Sequence, residues 1–295
     1  MQTKILTTVE AVWAAGAELG EGPVWDEETG TVLWLDIKGR RLNVHNVKDN
    51  ENRSIELTTE IGAIALRKSG GLVAATREGF ALLDPVTGTI EALSDPEAHL
   101  TENRFNDGKC DPRGRFIAGS MDDLETSPSG SVYSLQGDGK VNRLFGGYVI
   151  CNGPAFSPDG RTLYFCDSAG CDILAFDYDP ESGTTGASRI FTRFSPQQGH
   201  PDGITVDSEG CLWCAHWGGW LVTRFRPDGS EDTVIEMPVP QPTSCVFGGR
   251  DLDRLYVTSA RVGLDEKELQ SAPLSGALFC VPVNTRGLPV SRFGG

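Results

Sequence analysis

At 295 residues, 39% of them hydrophobic and 23% charged, the chain has the composition of a soluble globular protein and the length of one large domain or two ordinary ones. No apolar run approaches the roughly 18–20 residues that span a bilayer. A formal net charge of −15 argues against nucleic acid or an anionic membrane as partner, because both demand basic patches.

Residues 1–12 carry no basic region followed by an apolar core, so no secretory signal is expected and the expected compartment is the cytoplasm. Glycine (36) and proline (17) are spread evenly, as turn punctuation. Short β-rich runs lie between the turns, and the best helical candidate, 264–269, is one or two turns long. In chain order, six units repeat one layout. Gly22-Pro23-Val24-Trp25 leads through a turn at 26–30 to Val32-Leu33-Trp34-Leu35-Asp36. Gly62-Ala63-Ile64-Ala65-Leu66 leads through 68–71 to Leu72-Val73-Ala74-Ala75. Asn106-Asp107-Gly108-Lys109-Cys110 leads through 111–114 to 115–118. Asn152-Gly153-Pro154-Ala155-Phe156 leads through Ser157-Pro158-Asp159-Gly160 to 162–166. Pro201-Asp202-Gly203-Ile204 leads through 207–210 to 212–214. Pro242-Thr243-Ser244-Cys245-Val246 leads through 248–253 to 255–257.

A third run follows in each unit, at 41–44, 79–83, 130–135, 172–176, 220–225 and 276–281. The units recur every 40–50 residues, the period of propeller blades. The expected fold is therefore all-β: a six-bladed β-propeller in one domain over 1–295, closed by pairing 9–13 with 278–283. A large β-sandwich is the alternative, but it does not require six similar units. Most of the eight cysteines lie in apolar strand-like runs and are expected to be reduced, structural thiols.

In a propeller, the residues just before each innermost strand gather at one mouth of the central channel. Those positions here are Glu21, Ile61 or Glu60, Asn106-Asp107, Asn152, Asp202 and Thr243. Converging buried carboxylates raise one another's pKa, and a divalent cation removes the conflict. Oxygen donors suit Ca²⁺, Mg²⁺ or Mn²⁺ and also hold Zn²⁺ or Fe²⁺.

Leu19-Gly20-Glu21-Gly22-Pro23, Asn103-Arg104-Phe105-Asn106-Asp107-Gly108-Lys109, Asn152-Gly153-Pro154 with Ser157-Pro158-Asp159-Gly160, and Pro201-Asp202-Gly203 resemble the signatures of the SMP-30/gluconolactonase family. The resemblance covers nearly the whole chain. It implies a six-bladed propeller that hydrolyses a sugar lactone with one divalent metal. Position by position it implies Glu21, Asn152 and Asp202 as metal ligands and Arg104 and Asn106 as substrate contacts. A further acidic contact follows Gly119-Ser120-Met121: Asp123, or Asp122 or Glu125 after a small shift. The loop 125–129 is expected to help cover the site.

The chemistry suits a lactone. A metal polarises the carbonyl, Asp202 accepts a proton from the attacking water, and Arg104 and Asn106 hold the sugar hydroxyls or the carbonyl oxygen. Asp107 reads as a structural turn acid. The four histidines, among them His200 and His216 near the mouth, read as structural. Cys211-Leu212-Trp213-Cys214 lies on a strand without a second pair, which makes zinc binding or redox chemistry there a weak reading. The expected partner is a small sugar lactone, for a monomer or small homo-oligomer. Two rival readings use the same residues: a non-enzymatic calcium- or ligand-binding propeller, and a broad esterase or organophosphate hydrolase.

Overall fold

The computed structural model describes residues 3–295. Their innermost strands are Gly20–Asp26, Ile61–Leu66, Asn103–Cys110, Cys151–Phe156, His200–Val206 and Pro242–Gly248, one in each of six sheets. Each inner strand packs on the next, and the sixth returns to the first. The protein is a six-bladed β-propeller, its blades numbered here in chain order from Gly20.

Burial across a blade explains the residue pattern. Second strands such as Thr31–Asp36 and Leu72–Thr76 are covered on both faces and read as near-continuous apolar runs. Outer strands such as Glu51–Glu56 face water and are polar. The turns after the inner strands are closed by acidic side chains. Asp111 Oδ1 accepts the N–H groups of Arg113 and Arg115, and Asp207 Oδ1 those of Glu209 and Cys211. Gly114 and Gly210 then take φ of +84° and +79°, which favours glycine there.

The ring closes as the sequence suggested: Glu10–Trp13 pairs antiparallel with Leu278–Pro282, so blade 6 is built from both ends of the described chain. Aromatic rings hold the seam. Trp13 meets Trp34 edge-on at 5.4 Å, and Trp25 stacks on Tyr256 at 6.2 Å.

Three features differ from or add to the sequence reading. Lys4–Leu6 adds a parallel fifth strand to blade 5, against Glu231–Glu236. The helix runs Glu266–Ser271, shifted from 264–269 because Asp265 caps it by accepting from Lys267 N and Glu268 N. Residues 284–295 form a strap across the far end of the channel. Its hydrogen bonds join Arg286 to Ser208, Phe293 to Leu66 and Lys68, and Gly294 to Gly114. Residues 288–291 help enclose a cavity of about 280 Å³ there, with Lys109 in its wall.

At the other mouth all six inner strands share a device. The ladder to the second strand slips between Glu21 and Val24, Ile61 and Ala63, Phe105 and Asp107, Asn152 and Ala155, Pro201 and Ile204, and Pro242 and Cys245. A bulge re-aims the side chains beside it. It also corrects one expectation: Asn152 lies inside its strand, Cys151–Phe156, and not ahead of it, and Glu21, Asn106, Asp107, Asp202 and Thr243 likewise lie inside theirs. The pairing resumes after the bulge, and only that later part has a regular apolar pattern.

Candidate active site

The bulges turn Glu21, Asn106, Asn152 and Asp202 into one cleft of about 730 Å³, which Arg104 and Asp123 also line. Of the residues singled out as ligand or substrate contact, only the alternative acid Asp122 stays out of that space. Blade 1 supplies Glu21, blade 3 Arg104, Asn106 and Asp123, blade 4 Asn152, and blade 5 Asp202. Ile61 and Thr243 complete the ring of mouth positions as packing residues. Ile61 is buried, and Thr243 Oγ1 hydrogen-bonds the Gly20 carbonyl at 2.5 Å.

Three carboxyls oppose one another beneath the cleft. Burial, and then the charge of Asp107, pushes Glu21 up to about 8. Burial, followed by the charges of Glu21 and Asp107, raises Asp202 well above the usual carboxylate range. Burial also lifts Asp107 to about 6. Asp107 has both oxygens on backbone donors, Oδ1 on Gly108 N at 2.7 Å and Oδ2 on Gly153 N at 3.0 Å, as its structural reading requires. Glu21 Oε2 accepts from Gly22 N at 2.8 Å. Two buried carboxyls whose joint ionisation is opposed by burial and by neighbouring charge, with a neutral amide beside them, are an oxygen donor set that fits one divalent cation. On such an ion Glu21 and Asp202 would balance the charge, and Asn152 would add an oxygen without adding charge.

A directed chain of hydrogen bonds crosses blades 3 to 5. Arg104 Nη1 donates to Asn106 Oδ1 at 2.9 Å, Asn106 Nδ2 to Asn152 Oδ1 at 2.8 Å, and Asn152 Nδ2 to Ser168 Oγ at 2.8 Å. Ser168 Oγ donates to the Pro201 carbonyl at 2.6 Å. Asn106 Nδ2 also donates to Cys151 O at 3.1 Å, so its amide hydrogens are committed to the protein. Only acceptor capacity at Oδ1 remains for a substrate.

The three acids after Met121 separate clearly. Asp122 turns back into its own loop and accepts from Leu124 N, Thr126 N and Oγ1, and Ser127 N. Asp123 faces the cleft, bound by Lys38 Nζ at 2.9 Å, Arg104 Nε at 2.7 Å and the Arg77 guanidinium. Burial opposes its ionisation, but the hydrogen bonds and charges of Lys38 and Arg104 outweigh burial and hold the carboxyl well below the usual range. Glu125 stands at the exposed rim with φ +56°.

His200 lines the cleft, and its Nδ1 donates to Ser168 O at 3.0 Å. His216 is packed on Phe194 at 4.4 Å with Nδ1 on Gln198 O, and burial pushes it down to about 4. Cys211 and Cys214 are buried free thiols, like most of the eight cysteines.

Lys38, Arg77 and Ser168 were missed by the sequence reading. All three sit between the second and third strands of their blades, at the same mouth as the start of the inner strand. Polar residues in those turns were the available signal.

Relatives agree along the whole length. A family model described as "SMP-30/Gluconolactonase/LRE-like region" matches residues 19–261. Regucalcin from Xenopus laevis is 36% identical over 97% of this chain and 98% of its own. A 6-deoxy-6-sulfogluconolactonase from Pseudomonas putida is 35% identical over 98% of this chain and 99% of its own. The crystal structure of a calcium-binding protein, regucalcin, from Agrobacterium tumefaciens superposes with a TM-score of 0.94 at 31% identity, covering 99% of this chain and 100% of that one. Family profile, sequence relatives and fold agree, and the chain belongs to the SMP-30/gluconolactonase/LRE-like family.

Proposed function

We infer that this protein is a lactonase that opens a sugar (aldono-)lactone to its acid with one divalent ion held by Glu21, Asn152 and Asp202. One observation carries the reading. Two mutually repelling buried carboxyls and a neutral amide oxygen border the same cleft as a preoriented guanidinium, that of Arg104. The names of relatives support the reaction class, including the sulfogluconolactonase.

A bound divalent ion supplies Lewis acidity for the lactone carbonyl. Oxygen donors leave its identity open among Ca²⁺, Mg²⁺, Mn²⁺, Zn²⁺ and Fe²⁺. The protein supplies the rest. Asp202 takes a proton from the attacking water. Arg104, anchored by Asp123, Asn106 and the Phe105 carbonyl, is 5% exposed and holds substrate oxygens without having to reorganise. Asn106 accepts from a sugar hydroxyl through Oδ1. Asp123 serves chiefly to aim Arg104, because three cations already surround its oxygens.

Replacing Asp202 by Asn keeps the shape and removes the base and one ligand charge. Lactone turnover is expected to fall on the order of 10²–10⁴-fold while the far-UV spectrum stays β-like. Retained turnover rules the reading out. A second reading, a calcium-binding protein without turnover, is favoured by the description of the Agrobacterium structure. A panel of aldonolactones and aryl esters, assayed with and without chelator, separates the two readings and also tests for a broad esterase. Turnover of no lactone with any added metal selects the binding protein.

A further inference from the structure

Ser168 stands just past the second strand of blade 4, Thr162–Asp167, and is 6% exposed. Its hydroxyl touches two blades at once. It receives Asn152 Nδ2 at 2.8 Å and lies 2.6 Å from the carbonyl oxygen of Pro201, the residue before Asp202. A hydroxyl has one proton, and a carbonyl can only accept. The proton is therefore spent on Pro201, and Oγ can only accept from Asn152.

The two ends of an amide have nearly the same shape, so the surrounding network decides which end faces a ligand. Here both ends of the network are fixed by groups with no choice of role. Arg104, a guanidinium, can only donate, and it sets Asn106 with its oxygen toward Arg104 and its NH₂ toward Asn152. The Pro201 carbonyl can only accept, and it sets Ser168. Between them Asn152 has one allowed orientation, NH₂ toward Ser168 and Oδ1 on the other side. Oδ1 uses one lone pair on Asn106 and keeps the second. Ser168 is itself held, because His200 Nδ1 donates to its carbonyl at 3.0 Å. Pro201 begins the interval in which the blade 5 ladder slips.

We propose that Ser168 is a positioning residue of the metal site. It fixes the Asn152 amide with its oxygen available to the ion, and through Pro201 it ties that amide to the strand carrying Asp202. The proposal rests on Glu21, Asn152 and Asp202 being the ligands, but not on the lactone being the substrate.

The test is a double-mutant cycle read by metal binding and not by turnover. Chelator-stripped protein is titrated with Mn²⁺, and free Mn²⁺ is followed by electron paramagnetic resonance. Ser168→Ala is expected to weaken Mn²⁺ binding roughly 10- to 100-fold, with the melting temperature of the metal-free protein recorded alongside. The deciding measurement is the same substitution in the Asn152→Asp background. A carboxylate has two equivalent oxygens and no wrong end, and it would face Ser168 Oγ with like polarity. There the Ser168→Ala penalty is expected to vanish or reverse.

An equal penalty in both backgrounds, no penalty in the first, or no Mn²⁺ binding by the parent protein overturns the proposal. If the cycle behaves as expected while no lactone is turned over, the positioning role stands and the lactonase reading falls.

Discussion

Glu21 shows how much of this site is decided by one side chain's surroundings. Its carboxyl moves from an ordinary 4.5 to about 8, first because it is buried and then because Asp107 is near. The folded, metal-free protein therefore holds that proton more tightly than the unfolded chain does. The group's contribution to stability is fully present below about pH 4.5 and is lost as pH rises through about 8. A divalent ion competes with the proton and has the opposite dependence. The rise in melting temperature on adding Mn²⁺ to chelated protein is thus expected to grow between about pH 5 and pH 8; a flat or shrinking shift counts against Glu21 as a ligand. Glu21, Asn152 and Asp202 were legible as mouth positions because each is a polar residue next to a Gly-Pro or Pro-x-Gly break at a repeating place, and the family resemblance singled them out from the six. Ser168 was not. Its part depends on where a single hydroxyl proton goes, which composition and spacing do not encode.

Strands and turns were legible for similar reasons. Apolar runs buried on both faces and Asp- or Gly-closed turns leave marks in the sequence, and all six units found their strands. Bulges leave none, since one extra residue in a ladder looks like any other residue. That is why Asn152 was expected ahead of its strand, and why the acid after Met121 stayed open between Asp122, Asp123 and Glu125. The second strand of blade 3 ends at Asp122, and strand alternation stops being a guide there. The loop that follows hangs on the Asp122 carboxylate, which gathers four donors from residues 124–127. Substituting Asp122 by Ala releases the loop and with it the grip of Asp123 on Arg104. The expected result is a rise in KM of up to about 10²-fold with Mn²⁺ affinity unchanged. Steady-state kinetics together with metal titration check this; a fall in metal affinity instead would place the loop's effect on the ligands.

At the scale of the molecule, the ring order places blade 6 between blade 5, which carries Asp202, and blade 1, which carries Glu21. The seam therefore runs between two of the three proposed ligands. Trp34 is fully buried at that seam, whereas Phe293 is the strap residue buried in the apolar cluster at the far end. Either one changed to Ala costs roughly 3–5 kcal/mol, which lowers the melting temperature on the order of 10 °C in a protein of this size. Only Trp34→Ala is expected to weaken Mn²⁺ binding as well. Equal metal affinities in the two variants would detach the seam from the site. The closing strand pair also sets an order of events during synthesis. Glu10–Trp13 and Glu21 leave the ribosome early and Asp202 much later, and translation proceeds at about 5–20 residues per second. Until Leu278–Pro282 has emerged and found Glu10–Trp13, nothing holds Glu21 opposite Asp202. A nascent or truncated chain that lacks Leu278–Pro282 is expected to fold blades but not to bind Mn²⁺ at the proposed ligands, so metal capture would report closure of the ring.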